Sequence, residues 1–231
     1  ISDPRIRDDV LDGMHAASYQ FGVPIVGGHL HPDTPYSVID VAILGTAARD
    51  AVIYSHTANT GDVVIIAIDL DGRIHPSCAL NWDSVTMKSG EKVRAQIQVL
   101  EQLGREHLVT AGKDISNPGI IGTLGMLLEV SEKGARIDLD HIPRPDLNTH
   151  SLTFEQWIRC YPGMGFVLTA RPEHEKEITR IFSEVGMTAH SVGVVNSSCE
   201  LTISYEGEDT TVFDFSRNGV MHLFSDTPSC P

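Results

Sequence analysis

The run VVIIAIDL, entered through Gly61-Asp62, is almost unbroken in apolar residues. A strand with one face in water alternates apolar and polar side chains, so this run predicts a strand covered on both faces. The segments ARIDL, GFVLTA, AHSVGVV, CELTISYE and TTVFDF read as further strands, the last two as a hairpin. Helices are predicted from Ser89, with Val93, Ile97 and Leu100 on one face, and from Thr153, where Gln156 completes a capping box. Another runs from Glu173 to Val185 and stops at Gly186. Strands and helices without strict alternation predict an α+β fold, with helices covering one face of a mixed sheet.

A further helix start is sharper. Ser116 or Asn117 serves as the cap, Pro118 fits the first helical position, and Ile120, Leu124, Leu127 and Leu128 form the stripe, with Gly134 as the stop. Gly122 and Gly125 inside it cost roughly 1 kcal/mol each against alanine, which points to close backbone packing or ligand approach. Before all this, Asp3-Pro4 opens an amphipathic helix through Ile6, Val10, Met14, Ala17 and Phe21, stopped by Gly22. VPIVGG from Val23 and VIDVAILG from Val38 read as two strands joined by the segment from His29 to Ser37. The segment around Asn81, Trp82 and Asp83 reads as an irregular connection, either a ligand cover or a surface loop anchored by its tryptophan. A domain boundary is expected near Thr57 to Gly61.

Composition narrows the function. The 231 residues carry a formal charge of −14, which repels nucleic acid and anionic lipid. A phosphate ligand then depends on local main-chain donors and on a divalent cation held by carboxylates. No run is long enough to span a bilayer, and the charged start ISDPRIRDD is unlike a signal peptide, so a cytoplasmic location is expected. The four cysteines lack CxxC spacing and read as reduced thiols.

Two segments concentrate chemistry. In Gly112-Lys113-Asp114-Ile115-Ser116-Asn117-Pro118-Gly119 a helix N-terminus favours an anion, Lys113 adds positive charge, Ser116 a hydroxyl, and Asp114 a ligand for magnesium. The same residues also describe an ordinary capped helix. In Gly27-Gly28-His29-Leu30-His31-Pro32-Asp33, two imidazoles and a carboxylate recur at every second residue, which suits either a transition metal or a place in a nucleotide site. Asp69 and Asp71 read first as flanks of a turn and second as cation ligands. There is no GxSxG, Walker A, GxGxxG or HExxH pattern.

The order of GGH, a GD-led apolar strand, and DIS opening a glycine-containing helix resembles the superfamily of AIR synthase, thiamine-monophosphate kinase and selenophosphate synthetase. VPIVGGHLHPDTPYSVIDVAILG, IAIDLDGRIHPSCALNWD and TAGKDISNPGIIGTLGMLLE resemble the AIR-synthase-related family called methanogenesis marker protein 2. The resemblance implies an AIR-synthase-like, PurM-like two-domain fold in a homodimer, with ATP between the domains. Residues 1–57 then correspond to the second half of an N-terminal domain, incomplete at its start, and residues 58–231 to the C-terminal domain. It places His29 near the phosphates and metals, Asp114 on the family's metal-binding aspartate, and Asn117 where the kinases carry an aspartate.

Taken together, these readings assign His29 and Lys113 as catalytic, and Gly27, Gly28, Lys113, Ser116, Asn117 and Gly119 as nucleotide-binding. Asp114, His31 and Asp33 are assigned as metal ligands. The expected activity is ATP- and magnesium-dependent phosphoryl transfer that activates a small substrate of unknown identity. The alternative is a non-catalytic nucleotide-binding or assembly protein of methanogens on the same fold.

Overall fold

The computed structural model describes residues 3–31 and 35–221. In chain order its elements are α1 (Pro4–Phe21), β1 (Val63–Ile68), β2 (Arg73–His75), β3 (Cys78–Asp83), α2 (Gly90–Arg105), β4 (Ala111–Asp114) and α3 (Gly119–Val130). There follow β5 (Gly134–Asp138), α4 (Phe154–Arg159), β6 (Tyr161–Pro162), β7 (Gly165–Ala170), α5 (Glu175–Glu184), β8 (Thr188–Asn196), β9 (Glu200–Tyr205) and β10 (Glu208–Asp214). None of the helices among the described residues is long and apolar enough to cross a membrane.

Every residue of β1 is buried. It lies inside a seven-stranded sheet of order β10-β9-β5-β8-β1-β7-β4, antiparallel to β7 on one side and to β8 on the other. The one parallel pairing in that sheet joins β5 to β9. Because side chains alternate along a strand, Val64, Ile66 and Ile68 enter one core with Leu124, Leu127 and Leu128 of α3 and Trp157 of α4. Val63, Ile65 and Ala67 enter the other, with Val93 and Leu103 of α2 and Ile178 and Phe182 of α5. Helices therefore cover both faces of the sheet, not one as the order of elements suggested. Full burial of each Val or Ile contributes about 1.5–3 kcal/mol, so a polar residue in this strand would lose burial and leave a group unpaired.

The capping signals act as expected at three helix starts. Asp3 accepts from the Arg5 amide, Ser89 from the Lys92 amide at 3.3 Å, and Thr153 and Gln156 close their reciprocal box at 3.1 and 2.8 Å. At α3 the reading needs correction. The helix begins at Gly119, Pro118 stands at the cap position, and neither Ser116 nor Asn117 caps it. Gly134 does not end α3, which stops at Val130. It opens β5, where an added Cβ would lie 2.5 Å from the Glu200 carbonyl of the neighbouring strand. Gly125 serves close packing, since a Cβ there would meet Val220 at 2.8 Å.

Two further expectations are overturned. VPIVGG and VIDVAILG form no strand: their described residues lie outside helices and strands, with Val26 and Leu44 almost fully exposed. A strand exists only where its N–H and C=O groups find a ladder partner, and no described segment pairs with these two. Conversely, Asn81, Trp82 and Asp83 belong to β3, in a three-stranded sheet of order β2-β3-β6. Trp82 is fully buried, edge-on to Trp157 with ring centroids 5.2 Å apart. Cys78 and Cys160 are free thiols as expected, whereas Cys199 is disulfide-bonded.

Asp69, at the end of β1, is more than a turn residue. Its buried carboxylate takes an ion pair from Lys88 and accepts from Gln96 Nε2 at 2.6 Å, while its carbonyl accepts from Trp82 Nε1 at 3.0 Å. Lys88 is itself nearly buried, so each charge compensates the other. Asp71, by contrast, is exposed, and Lys88 holds its carboxyl below the usual aspartate range. Replacing Asp69 with alanine takes the buried carboxylate from Lys88 and leaves its ammonium only the exposed Asp71 at 3.5 Å, and a loss of about 3–5 kcal/mol in urea unfolding is expected. Asp71→Ala is expected to leave the urea midpoint nearly unchanged.

Candidate functional site

The strand β4 is the last strand of the large sheet, paired on one side with β7, Lys113 opposite Val167 and Asp114 opposite Phe166. Its other side meets the segment before β1: Gly112 N–H donates to the Tyr54 carbonyl at 3.0 Å, and Thr57 Oγ1 donates to the Thr110 carbonyl at 2.6 Å. Gly112 leaves room for the side chains packed over it: a Cβ there would sit 2.8 Å from a Leu168 methyl and 2.9 Å from an Ile53 methyl, which would have to shift. Between this segment, β4 and the last turns of α2 lies an open cavity of about 1120 Å³. Lys113 and Asp114 line it, together with Ile53, His56, Glu101 and Arg105.

Asp114 presents an exposed carboxylate. Its Oδ2 accepts from the Ser116 hydroxyl at 2.6 Å and its Oδ1 lies 3.4 Å from Lys113 Nζ. Burial raises the pKa of this carboxyl, but the Ser116 hydrogen bond and the Lys113 charge outweigh it, so the net position is below the usual aspartate value. Beyond it the chain turns through Ser116, whose N–H donates to Thr123 Oγ1 at 3.0 Å, and through Gly119, whose N–H donates to the Ser116 carbonyl at 2.9 Å. Gly119 adopts φ +74°, and a Cβ there would lie 2.7 Å from the Ile158 carbonyl, so only glycine fits between α3 and α4. The Gly119 amide is thus held within its own loop and is not a free phosphate donor. No side chain caps α3 and no acidic residue stands in its first turn, which leaves the positive end of its dipole uncompensated.

The structure brings together Lys113, Asp114 and Ser116. It does not bring the glycine-histidine segment to them: Gly27, Gly28 and His29 are exposed, in neither helix nor strand, and are not among the residues lining the cavity. Open space surrounds the Cβ positions of Gly27 and Gly28. His31 is exposed, and Asp33 lies outside the described residues. Among the described residues no three His, Cys, Asp or Glu side chains gather as a metal site. Asn117 is exposed beside Ser116. Sequence reading missed Tyr54, His56, Glu101 and Arg105, because their place at one cavity depends on how the segment before β1 crosses α2 and β4. Their only local signal is an aromatic and an imidazole two residues apart in IYSHT.

Residues 50–206 match the family described as AIR synthase related protein, C-terminal domain. An uncharacterized protein of Methanocaldococcus jannaschii is 46% identical over 217 residues, 94% of this chain and 66% of that protein. Another, from Synechocystis, is 36% identical over 93% of this chain and 65% of its own length. The chain therefore spans somewhat less than two thirds of both relatives. Among solved structures, Thermotoga maritima PurL complexed with ATP aligns over 78% of this chain and 28% of its own, with a TM-score of 0.57 at 18% identity. That likeness establishes a shared fold.

A carboxyl with a lowered folded pKa stabilises the fold above its unfolded pKa and loses that contribution as the pH falls through the folded value. The Asp114 side-chain carbon, followed by NMR, should thus titrate below an ordinary aspartate. Ser116→Ala should move its midpoint upward; an unmoved midpoint would assign no role to the hydroxyl.

Proposed function

The chain belongs to the AIR synthase related family, and from that premise we propose that it serves an ATP- and magnesium-dependent phosphoryl transfer that activates a small substrate. The observation that carries this reading is the placing of Lys113 and Asp114 on the wall of one large cavity, with the Ser116 hydroxyl bonded to Asp114. The solved PurL of the same fold bears ATP, which supports the choice of nucleotide.

The donor set fits magnesium better than a softer metal. Asp114 offers a hard, ionised, exposed oxygen ligand. Magnesium keeps several waters and commonly takes one or two carboxylates plus substrate phosphates, so a single protein carboxylate is sufficient. When bound, the ion supplies charge neutralisation on the phosphate oxygens. In this proposal Asp114 holds the ion, Lys113 draws the transferring phosphoryl group by its charge, and the Ser116 hydroxyl fixes the orientation of the carboxylate. The protein's part is positioning and electrostatic stabilisation, with no covalent intermediate on a side chain.

Asp114→Ala in the full-length protein is expected to weaken ATP binding at least about tenfold in the presence of magnesium and little in its absence. Calorimetry under both conditions reads this directly. Equal loss with and without the ion would remove Asp114 from metal binding.

A further inference from the structure

The cavity that holds Lys113 and Asp114 is far larger than those two side chains need. At about 1120 Å³ it slightly exceeds the usual range of small-molecule sites, roughly 300–1,000 Å³, whereas a hydrated cation and a phosphate occupy a small part of that. Its remaining wall is chemically mixed. Ile53, Leu100, Phe166 and Leu168 give apolar surface, and Glu101 and Arg105 project from successive turns of α2. Resting on the nucleotide reading above, we infer that Glu101 and Arg105 read the base of a purine nucleoside triphosphate whose phosphates lie at Lys113 and Asp114.

The geometry of α2 against this wall is fixed. A Cβ at Gly104 would lie 2.2 Å from the Ala51 carbonyl, so the helix and the segment before β1 touch backbone to backbone. The last turn of α2 can therefore neither roll nor retreat from the cavity without losing that contact. Glu101 and Arg105 pair across that turn at 2.6 Å, each side chain about two thirds exposed, at 60% and 67%. An exposed pair of this spacing contributes only about 0.3–0.5 kcal/mol to the fold, so its place in the cavity is available for recognition. The carboxylate accepts and the guanidinium donates, side by side. A purine edge presents an N–H donor beside a ring or carbonyl acceptor, the complementary pattern. The apolar wall suits the flat faces of such a ring, and a bare polyphosphate would leave it unfilled.

The test compares ATP with inorganic tripolyphosphate, each with magnesium, in the full-length protein and in the variants Glu101→Gln, Arg105→Met and Lys113→Met. Loss of a hydrogen bond to a charged group predicts that Glu101→Gln and Arg105→Met each weaken ATP at least about tenfold while tripolyphosphate affinity and the melting temperature stay unchanged. Lys113→Met should weaken both ligands. If the α2 variants bind both ligands as the wild type does and Lys113→Met loses both, the base-reading role is overturned and the phosphate site stands. Loss of both ligands in the α2 variants together with a lower melting temperature would also overturn it, in favour of a structural role. Should Lys113→Met too leave both affinities intact, the phosphate site and this inference fail together.

Discussion

Burial of β1 on both faces is the constraint from which the rest of the molecule follows. Six successive residues from Val63 to Ile68 give no side to water, so each face must be roofed. One roof is α2 with α5, the other α3 with α4 and the small sheet. The strand's end needs a special arrangement as well, because Asp69 emerges from it directly into the interior. Lys88, Gln96 and the Trp82 indole make that burial tolerable by satisfying its carboxylate and carbonyl. The same three contacts pin β3, the approach to α2, and α2 itself to the end of the central strand.

The candidate site falls to the sheet's margin for the same reason. Central positions are occupied by apolar packing, while β4 at the edge carries polar residues out of the core. Its ladder with β7 fixes Lys113 and Asp114 in register, and the segment through Tyr54 shields its other side. Sheet edge and helix then meet across a cavity, which fixes the backbone positions of the charged residues that line it. Such placement suits the electrostatic phosphoryl transfer proposed above.

Much of the scaffold was legible in the sequence because local rules decide it. Apolar periodicity located β1, β7, β8 and the β9–β10 hairpin, and short-range hydrogen bonds located the starts of α1, α2 and α4. Failures arose where distant parts of the chain decide. VPIVGG has the composition of a strand but no ladder partner among the described residues, and the Asn81 to Asp83 segment looks irregular until β2 and β6 flank it. Gly134 resembled a helix stop, yet its reason is the Glu200 carbonyl on β9. At the site, Lys113, Asp114 and Ser116 could be found because they are consecutive or nearly so. Glu101 and Arg105 could not, since their nearness to Lys113 is made by tertiary packing alone. The helix cap expected at Ser116 gave way to a different use of the same hydroxyl, which binds Asp114.

The central claim is that Lys113 and Asp114 form the phosphate and magnesium end of a nucleotide site. A crystal structure of the full-length protein with magnesium and a non-hydrolysable ATP analogue tests it most directly. The account predicts a magnesium ion at about 2.0–2.1 Å from an Asp114 oxygen, a phosphate oxygen within hydrogen-bonding reach of Lys113 Nζ, and the base in the cavity beside α2. A nucleotide ordered elsewhere, with Asp114 still bound only to Ser116 and Lys113, would contradict it.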